Sequence, residues 1–144
     1  MRFAASFAAL AVAAALLPTL PGQAAPGLPV TATGVWRNPH DSVHIALRPC
    51  GEEICGFVVF ASPKAEAAAR KGGTPKLLGA QLLRNFKVDK NGIARGKVFV
   101  PDLNAVFGGS AELLDARTLR ARGCLFGAVI CKTQIWTRID NAPT

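Results

Sequence analysis

The chain has 144 residues, 17 basic against nine acidic side chains, a net charge of +8 and a half-hydrophobic composition. That length leaves room for one domain and excludes a multidomain enzyme. The charge is spread along the chain and no aromatic stacking platform accompanies it, so nucleic acid is not an expected partner.

Residues 1–24 read as a secretory signal. Arg2 supplies the positive start, Phe3 to Leu17 form an apolar run broken only by Ser6, and Pro18, Pro21 and Gly22 break the helix before Gly22-Gln23-Ala24. Cleavage is expected after Ala24, with Ala25 as the other option. The run is shorter than the ~20 residues a membrane span needs, so no transmembrane span is expected. The mature part loses only Arg2 of its basic residues and keeps a charge of +7. Its location is expected to be periplasmic or secreted.

Residues 25–33 read as a flexible lead-in, and 34–140 as the folded domain. Short apolar runs cut by turn residues follow, the pattern of an antiparallel sheet or barrel. Val43, Ile45 and Leu47 alternate with His44, Ala46 and Arg48, whereas Phe57 to Phe60 is apolar on both faces. A helix is predicted from Ser62, a hydrogen-bond acceptor for first-turn amides, and Pro63 to a stop at Gly72. Its alanines suit a short surface helix or one lying across a barrel end. Leu82 to Val88 leads to Asn91-Gly92, a tight-hairpin signal, and Ile93 to Val100 is its partner strand. Pro101-Asp102 makes a break, Val106 to Leu113 and Thr118 to Arg122 extend again, and Lys132 to Ile139 is the last strand.

About eight short strands favour a small antiparallel up-and-down β-barrel, which leaves no edge to aggregate; an open sandwich is the alternative. Glycines and alanines on the strands suggest a narrow, well-filled interior. The four cysteines occur as Cys50/Cys55 and Cys124/Cys131, each pair bracketing a turn, and disulfides within each pair are the favoured connectivity in an exported chain. A four-thiolate zinc site is the rival, disfavoured by the wider second spacing. No metal and no cofactor are expected.

Several short segments, taken in order, resemble a known pattern. They are Gly34-Val35-Trp36-Arg37, Cys50-Gly51, Cys55-Gly56, Leu78-Gly79, Gly96-Lys97-Val98-Phe99-Val100-Pro101-Asp102, Arg122-Gly123-Cys124 and Gln134-Ile135-Trp136-Thr137-Arg138. Together they resemble bacterial domain-of-unknown-function family 2147 (DUF2147) over residues 34–139. The resemblance implies a lipocalin-like barrel in exported proteins and no established activity. A Asp-Pro-x-x-Gly-like segment common in that family is not reproduced, since Asn104-Ala105 here lacks the glycine. Similarity to lipocalins further implies closure of one barrel end by Arg138 lying across Trp36, an arrangement worth about 0.5–2 kcal/mol. The helix after the third strand departs from the lipocalin order and suggests a lid.

Catalytic machinery is hard to find. His40 and His44, the only histidines, lie about 13 Å apart on an extended chain and read as surface or rim residues. No serine sits in a nucleophile elbow, and no catalytic residue is assigned. Val98, Val100 and Phe107, with Asp102 at the mouth, are the expected contacts of a small apolar or amphipathic ligand. Arg95 with Lys97, and Arg120 with Arg122, share strand faces and form a candidate contact for anionic envelope lipid. The expected function is therefore non-catalytic binding or envelope docking. An enzyme using His44 and Asp102, or a protein-interaction module, is the alternative.

Overall fold

The computed structural model describes residues 32–140, so the signal segment and most of the lead-in lie outside the described residues. Eight strands run in chain order: β1 (Gly34–Arg37), β2 (Val43–Cys50), β3 (Glu53–Ala61), β4 (Gln81–Val88), β5 (Ala94–Val100), β6 (Ala105–Asp115), β7 (Thr118–Leu125) and β8 (Ile130–Arg138). Helix α1 (Pro63–Lys71) separates β3 from β4. Each strand pairs antiparallel with the next, and β1 pairs with β8, so the sheet closes into a barrel. The seam is short: Trp36 faces Arg138 and Arg37 faces Thr137.

Register fixes what points inward. Trp36, Ile45, Val58, Leu83, Val98, Phe107, Leu119 and Trp136 occupy inward positions, with most charged side chains alternating outside. The core cluster of Trp36, Leu47, Ile54, Val58, Leu83 and Phe86 fills the base of the barrel, where a small void of about 40 Å³ remains. Both disulfides, Cys50–Cys55 and Cys124–Cys131, form as the paired spacing implied. The first clasps the β2–β3 hairpin; the second joins directly opposed residues of β7 and β8.

Several local expectations need correction. Ala32 and Thr33 are not loose lead-in: Ala32 is buried and accepts from Trp36 Nε1 at 3.1 Å, and Thr33 O accepts from Arg138 at 2.6 Å. Gly72 does end α1 as expected, though with an ordinary right-handed φ of −78°. Its lack of a side chain matters instead for contact, because a Cβ there would lie 2.0 Å from Asp102 O. The turn at Asn91-Gly92 is wider than a two-residue hairpin. Asp89 organises it, its carboxylate accepting from the amides of Asn91 (2.8 Å) and Ile93 (3.1 Å), and only Gly92 has positive φ.

Helix α1 begins as expected, with Ser62 Oγ accepting from Ala65 N at 3.2 Å. It is less of a surface helix than its composition suggested, since Ala69 is fully buried. Glu66 ties the following loop to it, accepting from Leu77 N (3.2 Å) and Leu78 N (2.9 Å). These amides hold the Glu66 carboxyl below its usual range. Thr74 Oγ1 donates to Pro101 O at 2.8 Å, tying the same loop to the β5–β6 turn.

Candidate functional site

The two ends of the barrel are built differently. At the base, Arg138 lies under the Trp36 ring, 4.5 Å from its centroid, and both residues are almost completely buried. Its guanidinium donates to Ala116 O at 2.8 Å and to Thr33 O, and pairs with Asp140 at 3.4 Å. Gly34 permits this: with φ +142°, any Cβ would lie 2.3 Å from Arg138 Nη1. The Gly34-x-Trp36 pair and Arg138 therefore form one packed plug.

Toward the other end, where the β5–β6 and β7–β8 turns lie, the interior opens into a cavity of about 530 Å³. Two rows of small residues cross the strands here, and of them Ala111, Ala121 and Gly123 line the cavity. Ala94, Ala111, Ala121 and Gln134 face one another across β5 to β8, and Gly96, Gly109, Gly123 and Lys132 form the row beside them. On β6 and β7 these small side chains leave volume that larger ones would occupy. Phe86 and Val98 fill part of it, since a Cβ on Gly96 would meet Phe86 at 2.5 Å and one on Gly109 would meet Val98 at 2.4 Å. At Gly123 a Cβ would meet nothing within 4 Å. The small residues thus hollow the upper barrel, contrary to the well-filled interior that their abundance suggested.

All four expected ligand contacts, Val98, Val100, Asp102 and Phe107, line this cavity. Leu119, Leu125, Ile130 and Trp136 extend its apolar wall. Ser110 also lines the cavity, and on β8 the sequence reading missed two polar lining residues: Gln134, whose Oε1 accepts from Trp136 Nε1 at 3.2 Å, and Lys132. Strand alternation back from Trp136 was the signal that could have found them. Around the mouth, Leu103, Phe126 and Val129 are exposed, the last two to 80% and 82%.

The register puts the four basic candidates on one side of β5 and β7, where Arg95 and Arg122 both face Ser110, and Arg122 also lines the cavity. Two of them are already occupied. Arg95 pairs with Asp89 at 3.4 Å and Arg120 pairs with Glu112. His44 lies outside the barrel, its Nε2 2.6 Å from Asp41 Oδ1 and its ring 4.5 Å from that of Phe60. It does not line the cavity that Asp102 lines, so no cleft unites the two.

Residues 34–138, nearly the whole barrel, match the family described as "Uncharacterized protein conserved in bacteria (DUF2147)". The chain belongs to this family. No curated protein matches it. Among solved structures, this DUF2147 barrel is similar to protein HP1028 of Helicobacter pylori, described as belonging to the lipocalin family. The TM-score is 0.58 at 10% identity, over 76% of this chain and 83% of that one. At that identity the likeness concerns the fold, and it agrees with the closed eight-stranded DUF2147 barrel seen here.

Proposed function

We propose that this DUF2147 protein is an exported, non-catalytic carrier that holds a small apolar or amphipathic molecule inside its barrel. The cavity of about 530 Å³ carries the reading: it lies in the range of small-molecule sites and has an apolar wall with few polar groups. The plug at Trp36 and Arg138 leaves the opposite end as the route in. Two disulfides fit an oxidising compartment, either periplasm or exterior. No helix among the described residues is long and apolar enough to cross a membrane.

The chain's own tryptophans supply the test. Trp136 lines the cavity, whereas Trp36 belongs to the base. Titration with medium-chain alcohols, fatty acids and isoprenoids should alter the fluorescence of Trp136 and leave a Trp136→Phe variant silent. Native mass spectrometry of protein purified from its own host should show a retained small molecule. If no member of the panel binds above micromolar background and the purified protein is empty, the carrier reading fails.

A second reading, docking to the envelope, rests on the exposed Phe126 and Val129 at the mouth. Anionic vesicles should bind with steep salt dependence if Arg95, Lys97, Arg120 and Arg122 contribute, because exposed charges are screened over about 8–10 Å. Salt-independent binding, or none, would remove those four residues from the account.

A further inference from the structure

The position of Lys132 sharpens the carrier reading, on which the following inference rests. Along β8 the inward residues are Ile130, Lys132, Gln134, Trp136 and Arg138, fixed by the pairs Leu125–Ile130, Gly123–Lys132, Ala121–Gln134, Leu119–Trp136 and Trp36–Arg138. Lys132 stands on the cavity side of β8 in a mainly apolar wall whose other polar members are Asp102, Ser110, Arg122 and Gln134, whereas a strand ammonium normally sits on the solvent face. Lys132 is opposed by Gly123, which has open space before it, and Lys132 itself remains accessible at the mouth. Among the described residues it forms no ion pair, although seven pairs join other residues. Asp102, also on the cavity wall, is not within salt-bridge distance of it.

We propose that the cavity selects a single-chain amphiphile with an anionic headgroup, the tail against Val98, Phe107, Leu119 and Trp136 and the headgroup at Lys132 Nζ. At about 30 Å³ per heavy atom, the volume holds on the order of 15–20 atoms, a single chain rather than a two-chain lipid. Gln134 stands two residues deeper on the same face. Its Oε1 is engaged by Trp136 Nε1, which directs the amide nitrogen, a donor, toward other partners. A cation and an amide donor in one column favour a carboxylate over a hydroxyl and oppose an amine.

Dodecanoate, dodecan-1-ol and dodecylamine share a tail and differ in headgroup, so they separate the tail from the charge. Measured through Trp136 fluorescence at pH 8 and low salt, dodecanoate should bind about three- to tenfold more tightly than dodecanol, and dodecylamine more weakly than either. Dodecyl phosphate and dodecanoate together distinguish a phosphate from a carboxylate source of the charge. Lys132→Gln should abolish the preference for the acid while leaving dodecanol affinity unchanged, and Lys132→Glu should turn it toward the amine. Near-ultraviolet circular dichroism of each variant confirms that the barrel is intact. Equal binding of acid and alcohol by the native protein, or an acid preference that survives Lys132→Gln, overturns the role of Lys132 and leaves the carrier reading standing. Failure of every chain to bind overturns both.

Discussion

The guanidinium of Arg138 and the indole of Trp36 stack at 4.5 Å in the base of the barrel, on residues that also face each other across the β1–β8 seam. One pair therefore supplies a strand contact, an apolar lid and, through Arg138, hydrogen bonds to the carbonyls of Thr33 and Ala116. Trp36→Ala should cost about 3–5 kcal/mol in urea unfolding, as other large buried aromatics do. Arg138→Ala should cost less, about 1–3 kcal/mol, mainly through carbonyls left without donors. Arg138→Lys should not restore the loss, because an ammonium lacks the planar stack and the forked donors.

Gly34→Ala tests the same plug from the other side. A methyl group there meets the Arg138 guanidinium at a backbone conformation that side chains rarely adopt. The expected outcome is a destabilisation of about 1–3 kcal/mol by thermal unfolding, partly relieved when combined with Arg138→Ala.

Two glycines one strand apart should respond in opposite ways. Gly109→Ala drives a methyl group into Val98 and should destabilise the protein by about 1–3 kcal/mol. Gly123→Leu projects into empty space, so it should leave unfolding nearly unchanged while abolishing chain binding in the Trp136 titration. Destabilisation by the second substitution would show that the upper barrel is already filled.

The Glu66 contacts carry a pH signature. Its pKa is lowered, chiefly by the Leu77 and Leu78 amides, so its contribution is present above the ordinary carboxyl value of 4.5 and fades as pH falls through the lower folded value. Glu66→Gln should therefore unfold earlier than the native protein at pH 6–7, with the gap closing in acid. A difference that persists unchanged at pH 2–3 would place its origin in packing rather than charge.

Reduction of Cys124–Cys131 alone, by a Cys124→Ser/Cys131→Ser double variant, should cost roughly 2–2.5 kcal/mol through the loop it closes. The β7–β8 turn should then show the largest gain in amide exchange, with β2 and β3 unaffected.

Much of the barrel was legible because alternation and turn residues agree along the chain. Val43, Ile45 and Leu47 fixed one face of β2, and the resemblance to lipocalins marked Trp36 and Arg138 as the seam. The turn at Asp89 was misread because Asn91-Gly92 is a strong local signal, while the controlling carboxylate sits two residues earlier. The cavity was not legible from composition, since a glycine reads alike whether a neighbour fills its space, as at Gly96, or none does, as at Gly123. Lys132 was hidden by its charge. Its strand carries apolar Ile135 outside, 43% exposed, and polar Lys132 and Gln134 inside, the reverse of the usual phase.

The seam between β1 and β8 joins residues separated by about the full length of the domain, with Arg138 reaching back 105 positions to Thr33. A ribosome delivers β1 first and β8 last, so the nascent chain cannot close its ring until its final strand emerges. Until then β1 and β7 each present an unsatisfied edge to other chains. The Cys50–Cys55 clasp, five residues wide and near the start, is available to form early, whereas Cys124–Cys131 must wait for β8. Maturation should accordingly proceed in two oxidative stages, with ring closure coupled to the second and truncation just before Cys131 yielding an aggregating, half-oxidised species.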